Sequence, residues 1–137
     1  GQEWVKCSRS DGLAFDVLRK LKKSIFILSS EKNNVVSARA KKLKVEVIQS
    51  VDNKLDAIDI ITKNGSNSLD RVLYIGNDLN DFNIMNLCGY TACPCDSHAS
   101  IKKISQFVLS TRGGDGVVRE IVEDIFCLNM LEILYPK

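Results

Sequence analysis

The chain has 137 residues, of which 45% are hydrophobic, and this is enough for one globular domain with a sizeable core. Its 19 basic and 17 acidic residues give a formal net charge of +2, which is too small to indicate nucleic acid as a partner. There is no signal-peptide pattern and no apolar run of the roughly 18 residues that a membrane-spanning helix needs, so we expect a cytoplasmic protein without a membrane partner.

Strand-like and helix-like segments alternate along the chain. An N-terminal arm at 1–11 leads into a helix at 13–23, and short apolar runs then predict strands at 24–30, 45–50, 71–76, 90–94 and 106–110. Helical spacing predicts helices at about 32–43, 52–65, 81–88 and 116–134, of which the last is the longest. Because the strands are apolar on both faces, we predict a single α/β domain over 1–137, with a mostly parallel sheet covered by helices.

Polar side chains follow three of the predicted strands. They are Ser29 and Ser30 after the first, Lys54 shortly after the second, and Asn77, Asp78 and Asp81 after the third. Each of these features alone is compatible with a helix cap, a solvated lysine or an Asx turn. Ligands of open α/β sheets bind beyond the carboxyl ends of the strands, however, and these groups share that edge. Together they suit a phosphate group and Mg2+, a cation that prefers oxygen ligands.

The five cysteines include a cluster, "CPCDSH", that contains Cys93, Cys95 and His98. A zinc site would need a fourth ligand and two to four residues between the cysteines, whereas here one residue separates them. The spacing therefore favours reduced cysteines that pack at a strand end.

Five stretches occur in the order and spacing of a known family: "LSS", "DNK", "YIGNDLND", "CPCDSH" and "GGDGVVRE". They resemble the haloacid dehalogenase superfamily, and more narrowly its cap-less phosphatases of 3-deoxy-octulosonate 8-phosphate and nonulosonate (sialic acid type) 9-phosphate. The same module forms the C-terminal domain of some acylneuraminate cytidylyltransferases. The resemblance covers nearly the whole chain and implies a Rossmann-like fold without a cap domain.

The resemblance also implies roles for individual residues. The catalytic positions of the family are matched by Ser29, Lys54 and Asp81. Its substrate-binding positions are matched by Ser29, Ser30, Lys54 and Arg119. The ligands of its cofactor Mg2+ are matched by Asn77 and Asp78. Asn77 replaces the usual metal-binding Asp and so removes one negative charge. Glu31 stands where these phosphatases often have Arg, which reverses the local charge.

The nucleophile of the family is missing from the sequence. It is the first Asp of a D-x-D motif on the first strand, and no D-x-D follows an apolar strand here; we expect that strand upstream of Gly1. The resemblance predicts a Mg2+-dependent phosphatase of a phosphorylated 2-keto-3-deoxy sugar acid, active as a homotetramer. The alternative is a non-catalytic oligomerisation module of an acylneuraminate cytidylyltransferase.

Overall fold

The computed structural model describes residues 9–29, 38, 40–42, 45–48, 54–62 and 68–137. The helices with defined bounds within these residues are α1 (Arg9–Lys20), α2 (Ile58–Ile61), α3 (Phe82–Met85), α4 (Ala99–Ile104), α5 (Val117–Glu120) and α6 (Met130–Leu134). Residues 38 and 40–42, within the helix predicted at about 32–43, are also helical. The strands are β1 (Phe26–Leu28), β2 (Glu46–Ile48), β3 (Leu73–Ile75), β4 (Tyr90–Cys93) and β5 (Phe107–Val108). Single 3-10 turns occur at Lys54–Ala57, Leu69–Arg71 and Leu79–Asp81.

The strand pairing within these residues is parallel throughout. β1 pairs with β2, with Ile27 opposite Val47. β3 pairs with β4 and β4 with β5, which gives a second sheet of order β3-β4-β5. Parallel neighbours place the carboxyl ends of their strands at one edge, so the loops that follow them meet there.

Successive residues of a strand belong to different hydrophobic clusters, one on each face of the sheet. Tyr74 and Cys93 pack with side chains of α3 and α4. Their neighbours Leu73 and Ala92 pack instead with side chains of α5 and the turn that follows it. The alternation arises because consecutive strand side chains point to opposite faces. The predicted α/β class, with helices on both faces of a parallel sheet, is therefore confirmed.

The C-terminal segment is not the single helix that its spacing predicts over 116–134. α5 continues as a π-helical turn at Ile121–Ile125, Cys127 then has a φ of 53°, and α6 begins after Asn129. The Asn129 side chain accepts the N–H of Glu132 and so caps the new helix at the point where the chain turns back. The break lets Ile121 pack against the sheet while α6 packs against α1, which a straight helix could not do.

Other element boundaries also differ from those predicted. α1 begins at Arg9, so the predicted arm at 1–11 lies mostly outside the described residues. α4 follows β4 without having been predicted; its cap is His98, whose Nδ1 accepts the N–H of Ser100, and histidine is not a usual capping residue. The predicted helix at 52–65 comprises a 3-10 turn and α2 in its described part. The helices that the structure describes are all too short or too polar to cross a membrane.

A carboxylate of the N-terminal helix caps a helix of the C-terminal region. Asp11 Oδ1 of α1 accepts the backbone N–H groups of Val118 and Arg119, each at 3.1 Å. These N–H groups lie in the first turn of α5, where they have no partner within the helix. Asp11 therefore caps α5, whose own N-cap residue, Gly116, has no side chain to do so.

Candidate active site at the carboxyl end of β3

The centre of the candidate site is the carboxylate of Asp81, which is 2% exposed and receives four donors. Its Oδ2 accepts the backbone N–H of Asn77 at 2.9 Å and that of Asp78 at 3.2 Å. Its Oδ1 accepts the hydroxyl of Tyr74 at 2.7 Å and lies 3.2 Å from Nζ of Lys54. A carboxylate has about four lone-pair positions, so Asp81 is fully occupied by the protein itself.

These donors decide the ionisation state of Asp81. Burial alone would raise the pKa of the carboxyl group. The Asn77 N–H, the Tyr74 hydroxyl, the Lys54 ammonium and the Asp78 N–H outweigh that effect and lower the pKa below its ordinary value. Asp81 is therefore an anion at neutral pH and holds Lys54 in place.

Lys54 connects Asp81 with the end of β1. Its Nζ donates to the carbonyl of Leu28 at 3.4 Å, and Leu28 directly precedes Ser29. Ser29 is buried and donates its N–H to Ile48 of β2 at 3.0 Å, which fixes its backbone at the edge of the sheet. The structure thus brings Ser29, Lys54 and Asp81 to one edge, as their positions in the sequence predict.

Asn77 and Asp78 lie exposed directly after β3. Asp78 and Asp81 form a reciprocal capping box, in which each side chain accepts the backbone N–H of the other residue. The Asp78 carboxylate also accepts the N–H of Leu79 at 2.8 Å. An amide oxygen and a carboxylate at a solvent-facing edge are donors that fit Mg2+, which keeps several waters and needs only one or two protein ligands. Within the described residues there is no cluster of three or more His, Cys, Asp or Glu side chains that could hold a metal.

The loops after β3, β4 and β5 are tied to one another by hydrogen bonds. His98 donates its N–H to the Asn77 carbonyl at 2.9 Å, and Cys95 donates its N–H to the Thr111 carbonyl at 3.0 Å. The carboxylate of Asp96 accepts the N–H of Gly113 at 2.8 Å, and this bond, ahead of the other contributions, lowers the pKa of Asp96. The edge that carries Asn77 is thereby braced from β3 across to β5.

The two remaining predicted substrate-binding residues are Ser30 and Arg119. Ser30 lies outside the described residues, as does Glu31. Arg119 lies on α5, where its Nε is 2.9 Å from Glu123 and where it lines an open cleft of about 590 Å3 formed by α1, α5 and the C-terminal segment. Its predicted role in substrate binding remains a prediction.

The sequence patterns missed two residues that build the site. Tyr74 was expected only as an apolar strand residue, although a buried tyrosine hydroxyl usually requires a partner, and this could have pointed to Asp81. Gly76 has no side chain where an added Cβ would lie 2.7 Å from Cβ of Asp81 and 2.6 Å from Sδ of Met85. The glycine therefore leaves the space in which Asp81 can turn back beneath the end of β3.

Comparison with known proteins identifies the family. A family model described as haloacid dehalogenase-like hydrolase matches residues 11–121. The 3-deoxy-D-manno-octulosonate 8-phosphate phosphatase of Salmonella typhi is 26% identical over 124 residues, which are 90% of this chain and 66% of that protein. The corresponding protein of Escherichia coli strain K12 is 27% identical over 100 residues and is covered to 53%. The chain thus spans about half to two thirds of the length of these relatives.

Solved structures show the same fold. A protein described as a HAD family hydrolase from Streptomyces avermitilis is 38% identical, with a TM-score of 0.83 over 90% of this chain and 71% of that one. The 3-deoxy-D-manno-octulosonate 8-phosphate phosphatase of Moraxella catarrhalis, solved with a magnesium ion, a phosphate ion and KDO, is 28% identical. Its TM-score is 0.82 over 97% of this chain and 74% of that chain. With the family model matching most of its length, this chain belongs to the haloacid dehalogenase-like hydrolases.

Proposed function

We propose that the chain is the phosphoryl- and Mg2+-binding part of a phosphatase, with Ser29, Lys54, Asn77 and Asp78 at its site. The substrate would be a phosphorylated 2-keto-3-deoxy sugar acid of the octulosonate or nonulosonate type. The observation that carries the proposal is the buried Lys54 ammonium, held between Asp81 and the end of β1 beside Ser29. A fixed cation next to a hydroxyl is the arrangement that binds and orients a phosphoryl group. The named sugar-acid phosphatases among its relatives support this substrate class.

In this proposal each residue has a separate task. The Ser29 hydroxyl and the Lys54 ammonium bind the phosphoryl oxygens, and Asn77 and Asp78 hold Mg2+. When bound, the metal would supply positive charge that stabilises the phosphoryl group during transfer. Asp81 positions Lys54 and the backbone of Asn77 and Asp78, because its own oxygens are occupied.

The nucleophile is proposed to come from a segment outside these 137 residues. No D-x-D motif follows an apolar strand in the sequence. Asp11 does not replace it, since Asp11 caps α5 with the oxygen that accepts the Val118 and Arg119 N–H groups. The attacking carboxylate and the acid–base group would therefore reach Lys54 on another strand.

Release of inorganic phosphate from 3-deoxy-octulosonate 8-phosphate and a nonulosonate 9-phosphate tests the proposal. We expect no turnover by the 137-residue chain, and Mg2+-dependent turnover by a full-length polypeptide that includes a D-x-D strand. In the latter, Asp78→Ala is expected to lower the Mg2+ affinity or the turnover at least about tenfold, because it removes an oxygen ligand. Asp59→Ala, which removes an exposed carboxylate from α2, is the matched control and should behave like the parent.

The possible outcomes separate the candidate functions. If Asn77→Ala and Asp78→Ala both retain the parent's Mg2+ dependence, the metal assignment is wrong. A full-length polypeptide without turnover on either ester would favour the oligomerisation module, to which the lost charge at Asn77 also points. Turnover by the short chain would place the nucleophile among the acids of this sequence.

We also propose that the protein is a homotetramer. The C-terminal segment leaves large apolar side chains in water: Phe126, Leu131 and Tyr135 are 45%, 70% and 67% exposed. Several exposed apolar residues in one segment favour a contact with another protein surface. Light scattering should give about four times the 15.3-kDa mass of the chain, and Leu131→Lys should reduce the mass. The control Ile60→Lys, also at an exposed apolar residue, should leave the mass unchanged. A monomeric parent would contradict the proposal.

A further inference from the structure

The hydroxyl of Tyr74 makes the shortest hydrogen bond to the Asp81 carboxylate. Tyr74 and Lys54 both contact the same oxygen, Oδ1. We infer that Tyr74 is a positioning residue, which keeps the ammonium of Lys54 from closing on Asp81 and leaves it available to the phosphoryl group of the substrate. The inference rests on the proposed function, because it concerns the anion that Lys54 would bind.

The distances support a division of Oδ1 between the two donors. Tyr74 lies 2.7 Å from Oδ1, a normal length for a hydroxyl bound to a carboxylate. Lys54 lies at 3.2 Å, which is longer than the roughly 2.7–2.9 Å of a strong charge-assisted bond. Its contact with the Leu28 carbonyl is also long, at 3.4 Å. Both contacts of Lys54 are therefore weak enough for a third partner to compete.

The two contacts of Lys54 lie at the edge of the sheet that carries the candidate site. One of them is to Asp81 after β3, and the other is to Leu28, the residue before Ser29. An ammonium has three N–H donors, and among the described residues these two contacts are the ones that its Nζ makes. These two contacts leave one donor for a further partner, and the proposed phosphoryl group would bind at this edge of the sheet, where Ser29 lies.

The surroundings of Tyr74 make it a rigid donor. The residue is 8% exposed, and its ring packs with Ile84, Met85, Cys93 and Ile101. Burial, followed by the charge of Asp81, raises the pKa of the Tyr74 hydroxyl far above its ordinary value, so the group keeps its proton at working pH. Without the hydroxyl, Lys54 would be the single side-chain donor to Oδ1 and could approach it, forming a stronger ion pair that an incoming phosphate must break.

Tyr74→Phe tests the inference, because it removes the hydroxyl and keeps the ring. In the full-length protein we expect it to weaken binding of inorganic phosphate, and to raise KM, about threefold to tenfold, the effect of one hydrogen bond. Mg2+ affinity should stay within about twofold, because Oδ2 still holds the N–H groups of Asn77 and Asp78. Tyr90→Phe, at a half-exposed tyrosine of β4, is the matched control and should change neither phosphate binding nor Mg2+ affinity.

A double-mutant cycle with Lys54→Met distinguishes positioning from a general effect on the fold. If Tyr74 acts through Lys54, Tyr74→Phe has no further effect on phosphate affinity in the Lys54→Met background. The inference is overturned if Tyr74→Phe changes phosphate affinity less than twofold, or if it has the same effect in both backgrounds.

Circular dichroism and thermal unfolding verify that each variant is folded. A Tyr74→Phe protein that does not fold would also overturn the inference, since the hydroxyl would then be needed for the fold itself. A parent that binds no phosphate would overturn the proposed function as well, whereas the other three results leave that function standing.

Discussion

Asp81→Asn is expected to lower the free energy of unfolding by about 3 kcal/mol, because it leaves a buried ammonium without its counter-ion. The side chains of Lys54 and Asp81 are only 11% and 4% exposed, so water cannot replace the lost carboxylate. The new amide also presents N–H donors at a position where Tyr74 and Lys54 already donate. Urea denaturation at neutral pH measures the loss.

The control is Asp78→Asn, which changes the neighbouring carboxylate by the same one atom. Asp78 is exposed and caps a short turn, and Asn caps such turns as well as Asp does, so we expect a change within about 0.5 kcal/mol. Equal losses in the two variants would show that the charge of Asp81 does not hold this region together.

The difference in unfolding free energy between the parent and Asp81→Asn should also depend on pH. Because the pKa of Asp81 is lowered in the folded state from its ordinary 3.8, its contribution is complete well above pH 3.8. It is lost as the pH falls below that value and through the folded pKa. The gap between parent and Asp81→Asn should therefore narrow in acid; a gap that stays constant from neutral pH to pH 3 would contradict the assignment.

Gly89→Ala is expected to destabilise the protein by about 3 kcal/mol or more, near the upper end of overpacking changes. A Cβ at position 89 would lie 1.9 Å from the carbonyl oxygen of Asp70, and a backbone atom cannot turn aside as a side chain can. The Gly89 N–H donates to the Leu69 carbonyl at 2.9 Å, so the two segments are joined where the clash would occur. The substitution should thus separate the turn at 69–71 from the start of β4.

Thermal unfolding of Gly89→Ala beside Gly113→Ala measures this effect. An added Cβ at Gly113 would find its nearest neighbour, Oδ1 of Asp96, at 3.6 Å, an ordinary contact. Gly113→Ala should therefore stay within about 0.5 kcal/mol of the parent. Similar midpoints for both variants would mean that the close approach of Gly89 to Asp70 does not exist in solution.

The class of the fold and the edge of the sheet that carries the site could be predicted from the amino-acid sequence. Alternating apolar runs and helical spacing predicted the parallel strands, because burial on both faces leaves a continuous apolar pattern. The polar groups after three strands predicted a common edge for Ser29, Lys54 and Asp81, since parallel strands end on the same side. These predictions depend on the periodicity of apolar and polar residues along short segments, which the sequence shows directly.

The hydrogen bonds that connect those residues could not be predicted in this way and are visible in the three-dimensional structure. The bond between Tyr74 and Asp81, the capping of α5 by Asp11, and the approach of Lys54 to the Leu28 carbonyl each join parts of the chain whose spacing follows no local period. The break at Cys127 likewise depends on the position of α1, against which α6 packs. Sequence periodicity records which side of an element is buried, whereas hydrogen-bond partners depend on where distant elements meet in three dimensions.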